Sequence, residues 1–245
     1  MLVNVINPNT TASMTEKIGA CAQAVAAAGT RIRAVNPSMG PASIESHYDE
    51  ALAVPGLLEQ IAAGEAAGAA GHVVACFGDP GLDAARELAS GPVVGIAEAA
   101  MHTAAFLGRG FSVVTTLGRT TGRAWELAHR YGMAGFCRNV RACEIPVLDL
   151  EIPGSNARET ITQECKRAVE DDGADVIVLG CAGMADLCRY ITDQVGVPVV
   201  DGVAAATKTV ESLVAQGLTT STRSEYAAPP AKDYVGLLDR FTIGR

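Results

Sequence analysis

The sequence predicts an α/β protein of two lobes related by an approximate twofold axis, each a four-stranded parallel sheet flanked by helices, with the active site in the cleft between them. Two observations carry this. Short β-branched runs alternate with Ala-rich helical stretches, the pattern of βαβ units around buried parallel strands. The runs also match as two sets of four at offsets of 105 to 109 residues, which points to an internal duplication.

Taken in order, the expected strands are 2–6, 31–35, 72–76, 92–96, 111–115, 140–144, 175–180 and 198–201. The opening strand, Val3 to Asn7, pairs with Ser112 to Thr116, and Arg31 to Pro37 with Val140 to Pro146. Gly71 to Gly78 (GHVVACFG) echoes Asp175 to Gly183 (DVIVLGCAG), and Gly91 to Gly95 echoes Val197 to Gly202. In a parallel sheet with helical crossovers, ligands bind beyond the carboxyl ends of the strands. Two such lobes about a twofold would therefore bring equivalent residues face to face.

The third strand of each half ends in Cys-x-Gly, as Cys76-Phe77-Gly78 and Cys181-Ala182-Gly183. Asp79 and Pro80 read as the cap and first residue of a helix, with a matching helix beginning near Met184. Helix N-termini favour thiolate over thiol, so each cysteine is expected to have a lowered pKa and to serve as a base. Cysteine is also among the most buried residue types, and that plain reading is kept for Cys21, Cys137, Cys143, Cys165 and Cys188, which have no duplicated partner.

The first strands end in Asn7-Pro8-Asn9-Thr10-Thr11 and Thr115-Thr116-Leu117-Gly118-Arg119-Thr120. Asn9, Thr10 and Thr120 are expected as helix caps. Asn7, Thr115 and Thr116 precede the caps and are either turn residues or donors aimed at a carbonyl or enolate oxygen. The segment 36–49 is a long irregular loop placed to select substrate, with a shorter counterpart around 150–156. Its Glu45 and His47 have no assigned role, polar loop side chains being ordinarily solvated.

Composition narrows the function. With 245 residues, 49% hydrophobic and 19% charged, the chain has ample material for a core and is not disordered. A net charge of −8 leaves no basic stripe for phosphates, so nucleic acid is not an expected partner. No apolar stretch approaches the ~20 residues of a membrane span, and the start MLVNVINPNTT is not a signal peptide, so a cytoplasmic protein is expected. The seven cysteines and four histidines form no CxxC, HxH or HExxH, so no metal site is expected. No Gly-rich phosphate fingerprint occupies a βα turn, and Lys208 has no motif suggesting a Schiff base.

The segments INPNTT (6–11), MGPASIESHYDEA (39–51), ACFGDPGLDAARE (75–87), GIAEAAMH (95–102), VVTTL (113–117), LGCAGMADL (179–187) and VPVVDGVAAA (197–206) resemble the aspartate/glutamate racemase superfamily. Within it they resemble the hydantoin and allantoin racemases, through GDPGL after the first cysteine together with GCAGM at the second. The resemblance implies a cofactor-free isomerase in which Cys76 and Cys181 flank a hydantoin ring. One thiol takes the C5 proton and the other returns one on the opposite face. It also implies that Phe77, Gly78, Ala182 and Gly183 hold the ring's polar atoms, and that Asn7, Ser43, Thr115 and Thr116 line the pocket. The last helix, 203–216, is expected to pack back on the first lobe, giving lobes 1–96 with 203–245 and 97–202. The expected partners are a small hydantoin and further copies of the chain as a homo-oligomer. Other isomerases of the superfamily and a two-lobed, non-catalytic binding protein are the rival readings.

Overall fold

The computed structural model describes residues 1–152 and 154–242; the last three residues of the expected first lobe, and residue 153 of the second-half loop, lie outside the described residues. The first sheet comprises β1 (Leu2–Ile6), β2 (Arg31–Val35), β3 (Gly71–Val74) and β4 (Val93–Gly95) in the order β2-β1-β3-β4. The second comprises β5 (Phe111–Thr115), β6 (Cys137–Ala142), β7 (Val176–Leu179) and β8 (Val199–Val200) in the order β6-β5-β7-β8. All pairings are parallel, and the orders are identical once the second set is renumbered from one. Val5 pairs with Ala34 and Val73 in one sheet as Val113 pairs with Val140 and Val178 in the other.

Among the described residues eight α-helices complete the layers: α1 (Ala12–Val25), α2 (His47–Ala66), α3 (Leu82–Leu88), α4 (Ile96–Leu107), α5 (Thr121–Arg130), α6 (Ala157–Glu170), α7 (Cys188–Val195) and α8 (Gly202–Ala215). Because strands β1, β3, β5 and β7 are covered on both faces, all their residues are buried and most are apolar, the exceptions being Asn4, His72, Ser112 and Thr115. α4 follows the first sheet but packs on β5, β7 and β8 of the second, while α8 follows the second sheet and packs on β1, β3 and β4 of the first. The two helices also pack against each other, so one continuous core runs from Val3 and Val73 through Met101 and Val203 to Phe111 and Val178. Separate apolar layers close the outer faces, around Ile61 in the first lobe and Ile161 in the second.

Strand β6 begins three residues before the expected 140 and ends before 143. A register shift at Phe111/Ser112 lets Cys137 pair with Phe111, and Glu144, at φ 54°, turns the chain out of the sheet. The polar residues Arg138, exposed, and Asn139, half-buried, hide this start from a reading based on hydrophobicity. Among the described residues no helix is long and apolar enough to cross a membrane.

Candidate active site

Strand β3 stops at Val74, and the Ala75 N–H still bonds Ile6 O at 2.8 Å, so the sheet delivers Cys76 to the first position beyond its carboxyl edge. The turn then closes by Asp79 N–H to Cys76 O at 2.9 Å, while Gly78 N–H donates to the Cys76 sulfur. The second half repeats the arrangement. Gly180 N–H bonds Val114 O at 2.8 Å, Met184 N–H bonds Cys181 O at 3.1 Å, and Gly183 N–H donates to the Cys181 sulfur. Both cysteines line one cavity of about 200 Å³ between the strand ends. That is below the roughly 300–1,000 Å³ of drug-sized ligand sites and suits a single small ring.

The helices after the cysteines differ from expectation. α3 begins at Leu82 behind Gly81 in the left-handed conformation, and Asp79 does not cap it. Asp79, at φ 45°, instead turns its carboxylate beneath the end of β4, where it accepts from Ala97 N at 3.1 Å and Glu98 N at 3.0 Å. Tyr131 Oη donates to the same carboxylate at 2.8 Å. Gly95 makes room for it, since a Cβ there would lie 2.3 Å from the carboxyl carbon. Asp79 therefore caps α4. Behind Cys181 the chain forms a 3₁₀ turn, Ala182–Leu187, and α7 starts only at Cys188, not near Met184.

The expected lowering of the thiol pKa values is also overturned. Burial pushes Cys76 up to about 12, with the neighbouring Cys181 and Asp79 adding to the rise and the Gly78 N–H opposing it. Burial pushes Cys181 up to about 11 against the opposing Gly183 N–H and Lys17. Two backbone donors without a properly aimed helix do not offset the loss of water. Both side chains still expose part of their surface to the cavity. All seven cysteines are free thiols.

Of the other expected site residues, Asn7, Phe77, Gly78, Thr115, Thr116 and Ala182 line the cavity, whereas Ser43 and Gly183 are not on its wall. Ser43 Oγ donates to Glu45 at 2.9 Å. The Asn7 amide nitrogen bonds Asn9 Oδ1 at 2.8 Å and Thr15 Oγ1 at 3.0 Å, so its donors serve the turn into α1. Thr115 Oγ1 donates to Gly180 O at 3.1 Å, joining the two central strands of its lobe just below Cys181. Asn9 Oδ1 accepts Thr11 N–H at 2.9 Å ahead of α1, but the Thr10 and Thr120 hydroxyls donate to carbonyls and cap nothing.

The charged wall was not legible from motifs. The loop expected at 36–49 ends at 46, where Ser46 caps α2, and from it Glu45 crosses the cleft to accept Val147 N–H at 2.7 Å. Glu50, on α2, pairs with Arg123 at 2.7 Å, and Arg119 stands exposed at the rim without an ion-pair partner among the described residues. His47 also reaches the rim. The hydrophobic period of α5 would have marked Arg123 only as a surface residue, and Arg119 lies in the 3₁₀ turn Gly118–Thr120 ahead of that helix. No group of three or more His, Cys, Asp or Glu among the described residues is placed to hold a metal ion.

The family model described as Asp/Glu/hydantoin racemase matches residues 3–210. The chain belongs to this racemase family. A hydantoin racemase of Pseudomonas sp. (strain NS671) is 48% identical over 98% of this chain and 97% of its own. A hydantoin racemase of Rhizobium meliloti is 48% identical over 96% of this chain and 98% of its own. Among solved structures, an allantoin racemase from Klebsiella pneumoniae superposes with a TM-score of 0.97 at 52% identity and covers 100% of both chains. The duplicated lobes and the shared cleft are thus the framework of an Asp/Glu/hydantoin racemase.

Proposed function

We propose that the protein racemises 5-monosubstituted hydantoins, allantoin among them, by two-base proton transfer at C5 without a cofactor. The observation that carries this is the placing of Cys76 and Cys181 at equivalent ends of β3 and β7 on one ring-sized cavity. The near full-length similarity to proteins named hydantoin racemase and allantoin racemase supports the substrate class. The exchange of α4 and α8 between sheets supports a division into lobes 1–96 with 203–245 and 97–202.

One thiolate removes the C5 proton, and the electron pair left on C5 delocalises into the adjacent carbonyl as an enolate. The thiol on the opposite face then donates its proton to C5, which inverts the centre and exchanges the roles of the two sulfurs. Phe77 and Ala182 follow the two cysteines on the cavity wall, and their backbone N–H groups are the donors assigned to the developing oxyanion. The Thr116 hydroxyl makes no protein hydrogen bond among the described residues and adds a further donor to the wall. Burial that holds both thiols protonated also makes any thiolate formed there a stronger base than one in water, which suits a carbon acid.

The test is loss of optical rotation from single enantiomers of several 5-monosubstituted hydantoins and of allantoin, with aspartate and glutamate as controls. Racemisation of the hydantoins but not the amino acids is expected. Racemisation of free amino acids alone would overturn the reading.

A further inference from the structure

The two cysteine turns are built alike but held differently. On the first, Arg123 of α5 donates Nε at 3.2 Å and Nη2 at 2.9 Å to the single carbonyl oxygen of Gly78. Its Nη2 also reaches Glu50 Oε1 at 2.7 Å, so the guanidinium is fixed between the turn and α2. One residue further on, the buried carboxylate of Asp79 accepts the Tyr131 hydroxyl and two N–H groups of α4. Arg123 lies in α5 and Tyr131 directly follows it, so both hold the first cysteine's turn from the chain of the second sheet.

Among the described residues no side chain of the opposite lobe hydrogen-bonds the Cys181 turn, although Lys17, Glu45 and Glu151 lie close enough to act on its charge. A Cβ on Gly183 would meet Leu150 Cδ1 at 3.0 Å and Met14 Cε at 3.8 Å, whereas one on Gly78 would meet the Glu50 carboxylate at 3.7 Å. Apolar side chains pack on the second turn at Gly183, and a hydrogen-bonded polar clamp from the opposite lobe grips the first. Gly78 supplies both the N–H that bonds the Cys76 sulfur and the carbonyl that Arg123 grips, so a shift of α5 moves the donor that aims this thiol.

We propose that Arg123, with the Asp79–Tyr131 pair, positions Cys76 and not Cys181, so that proton transfer at Cys76 depends on the seating of α5 against the first lobe. Arg123 and Tyr131 are positioning residues, acting through the turn and not on the ring. The proposal rests on the two-base reading above for its kinetic consequence, and on the hydrogen bonds alone for its structural one. A displacement of a reacting group by about 1 Å can cost about 100-fold in rate.

Steady-state racemisation cannot separate the two thiols, because enantiomers have equal free energy and both directions pass through both transfers. Exchange in D2O can. In Tyr131→Phe and Arg123→Lys, the enantiomer whose hydrogen faces Cys181 is still deprotonated. With return from Cys76 slow, that enantiomer takes up deuterium with retention. Racemisation is expected to fall about 10- to 100-fold, while the ratio of exchange to racemisation rises for one enantiomer only, the same one as in Cys76→Ser. Equal loss of exchange from both enantiomers, or the preference of Cys181→Ser, would overturn the proposal. A second arm needs no substrate: iodoacetamide labelling followed by mass spectrometry should show an altered rate at Cys76 and an unchanged rate at Cys181 in both variants. Equal changes at the two thiols would overturn the clamp. A wild-type protein inert toward every hydantoin would refute the proposed function while leaving this labelling arm decisive.

Discussion

Replacing Asp79 by Asn should change the pH dependence of stability in a defined direction. Asp79 is 2% exposed, and burial raises its carboxyl from 3.8 to about 6 despite the bonds from Tyr131, Glu98 and Ala97. A carboxyl whose folded pKa lies above its unfolded value keeps a proton in the native state that the unfolded chain has released. Its contribution is therefore intact below about pH 4 and is lost as pH rises through about 6. A difference of about 2 pH units corresponds to about 3 kcal/mol. Asn resembles the protonated form at every pH and does not suffer this loss. The amide also leaves one of the two α4 N–H groups without a carboxylate oxygen, a cost that does not vary with pH. Glu65, Asp83, Asp172 and Glu211, whose pKa values are lowered, gain stability with rising pH in both proteins and cancel in the comparison. Urea unfolding at pH 4.5 and 7.5 measures the effect. The midpoint of Asp79→Asn relative to wild type should move upward by about 1 M between the two pH values. A relative midpoint that does not change, or that moves downward, would show that the three donors hold Asp79 ionised throughout and refute the reasoning.

Three further outcomes are expected. Cys76→Ser and Cys181→Ser should each abolish complete racemisation while retaining C5 exchange in D2O of opposite enantiomers, read by NMR and chiral chromatography; a shared preference would point to a single base. Because burial holds both thiols above the usual range, with Cys181 at about 11, activity should rise with pH from 7 to 10 as one thiol of the pair ionises; a plateau from pH 7 would mean that substrate binding itself lowers a thiol pKa. Arg119→Gln should raise KM for 5-carboxymethylhydantoin by about fivefold, the scale of an exposed ion pair, and leave 5-methylhydantoin unchanged; equal effects on both would exclude contact with the C5 substituent.

The duplicated βαβ framework was written in the chain itself. Period and composition decide which segments become buried parallel strands, and repeats such as GHVVACFG and DVIVLGCAG place one cysteine beyond each third strand. Since strand ends are set by local pattern to within a few residues, both cysteines could be assigned to one cleft from spacing alone. What the chain could not announce were interactions between segments distant in sequence. Asp79 next to Pro80 looks like a local helix cap, but its positive φ and the space at Gly95 send it to Ala97 of α4 and to Tyr131, partners 18 and 52 residues away. The thiol pKa values followed the same logic. A motif reveals the nearby N–H donors, whereas desolvation depends on everything the two lobes bring over the site, and burial outweighs those donors. Arg123 and Glu50 carry no signature either, because an ion pair on the cleft wall exists only when α5 of one half meets α2 of the other. Local order along the chain follows from its own periodicity, while charge balance and alignment at the cleft arise only when the lobes close on each other.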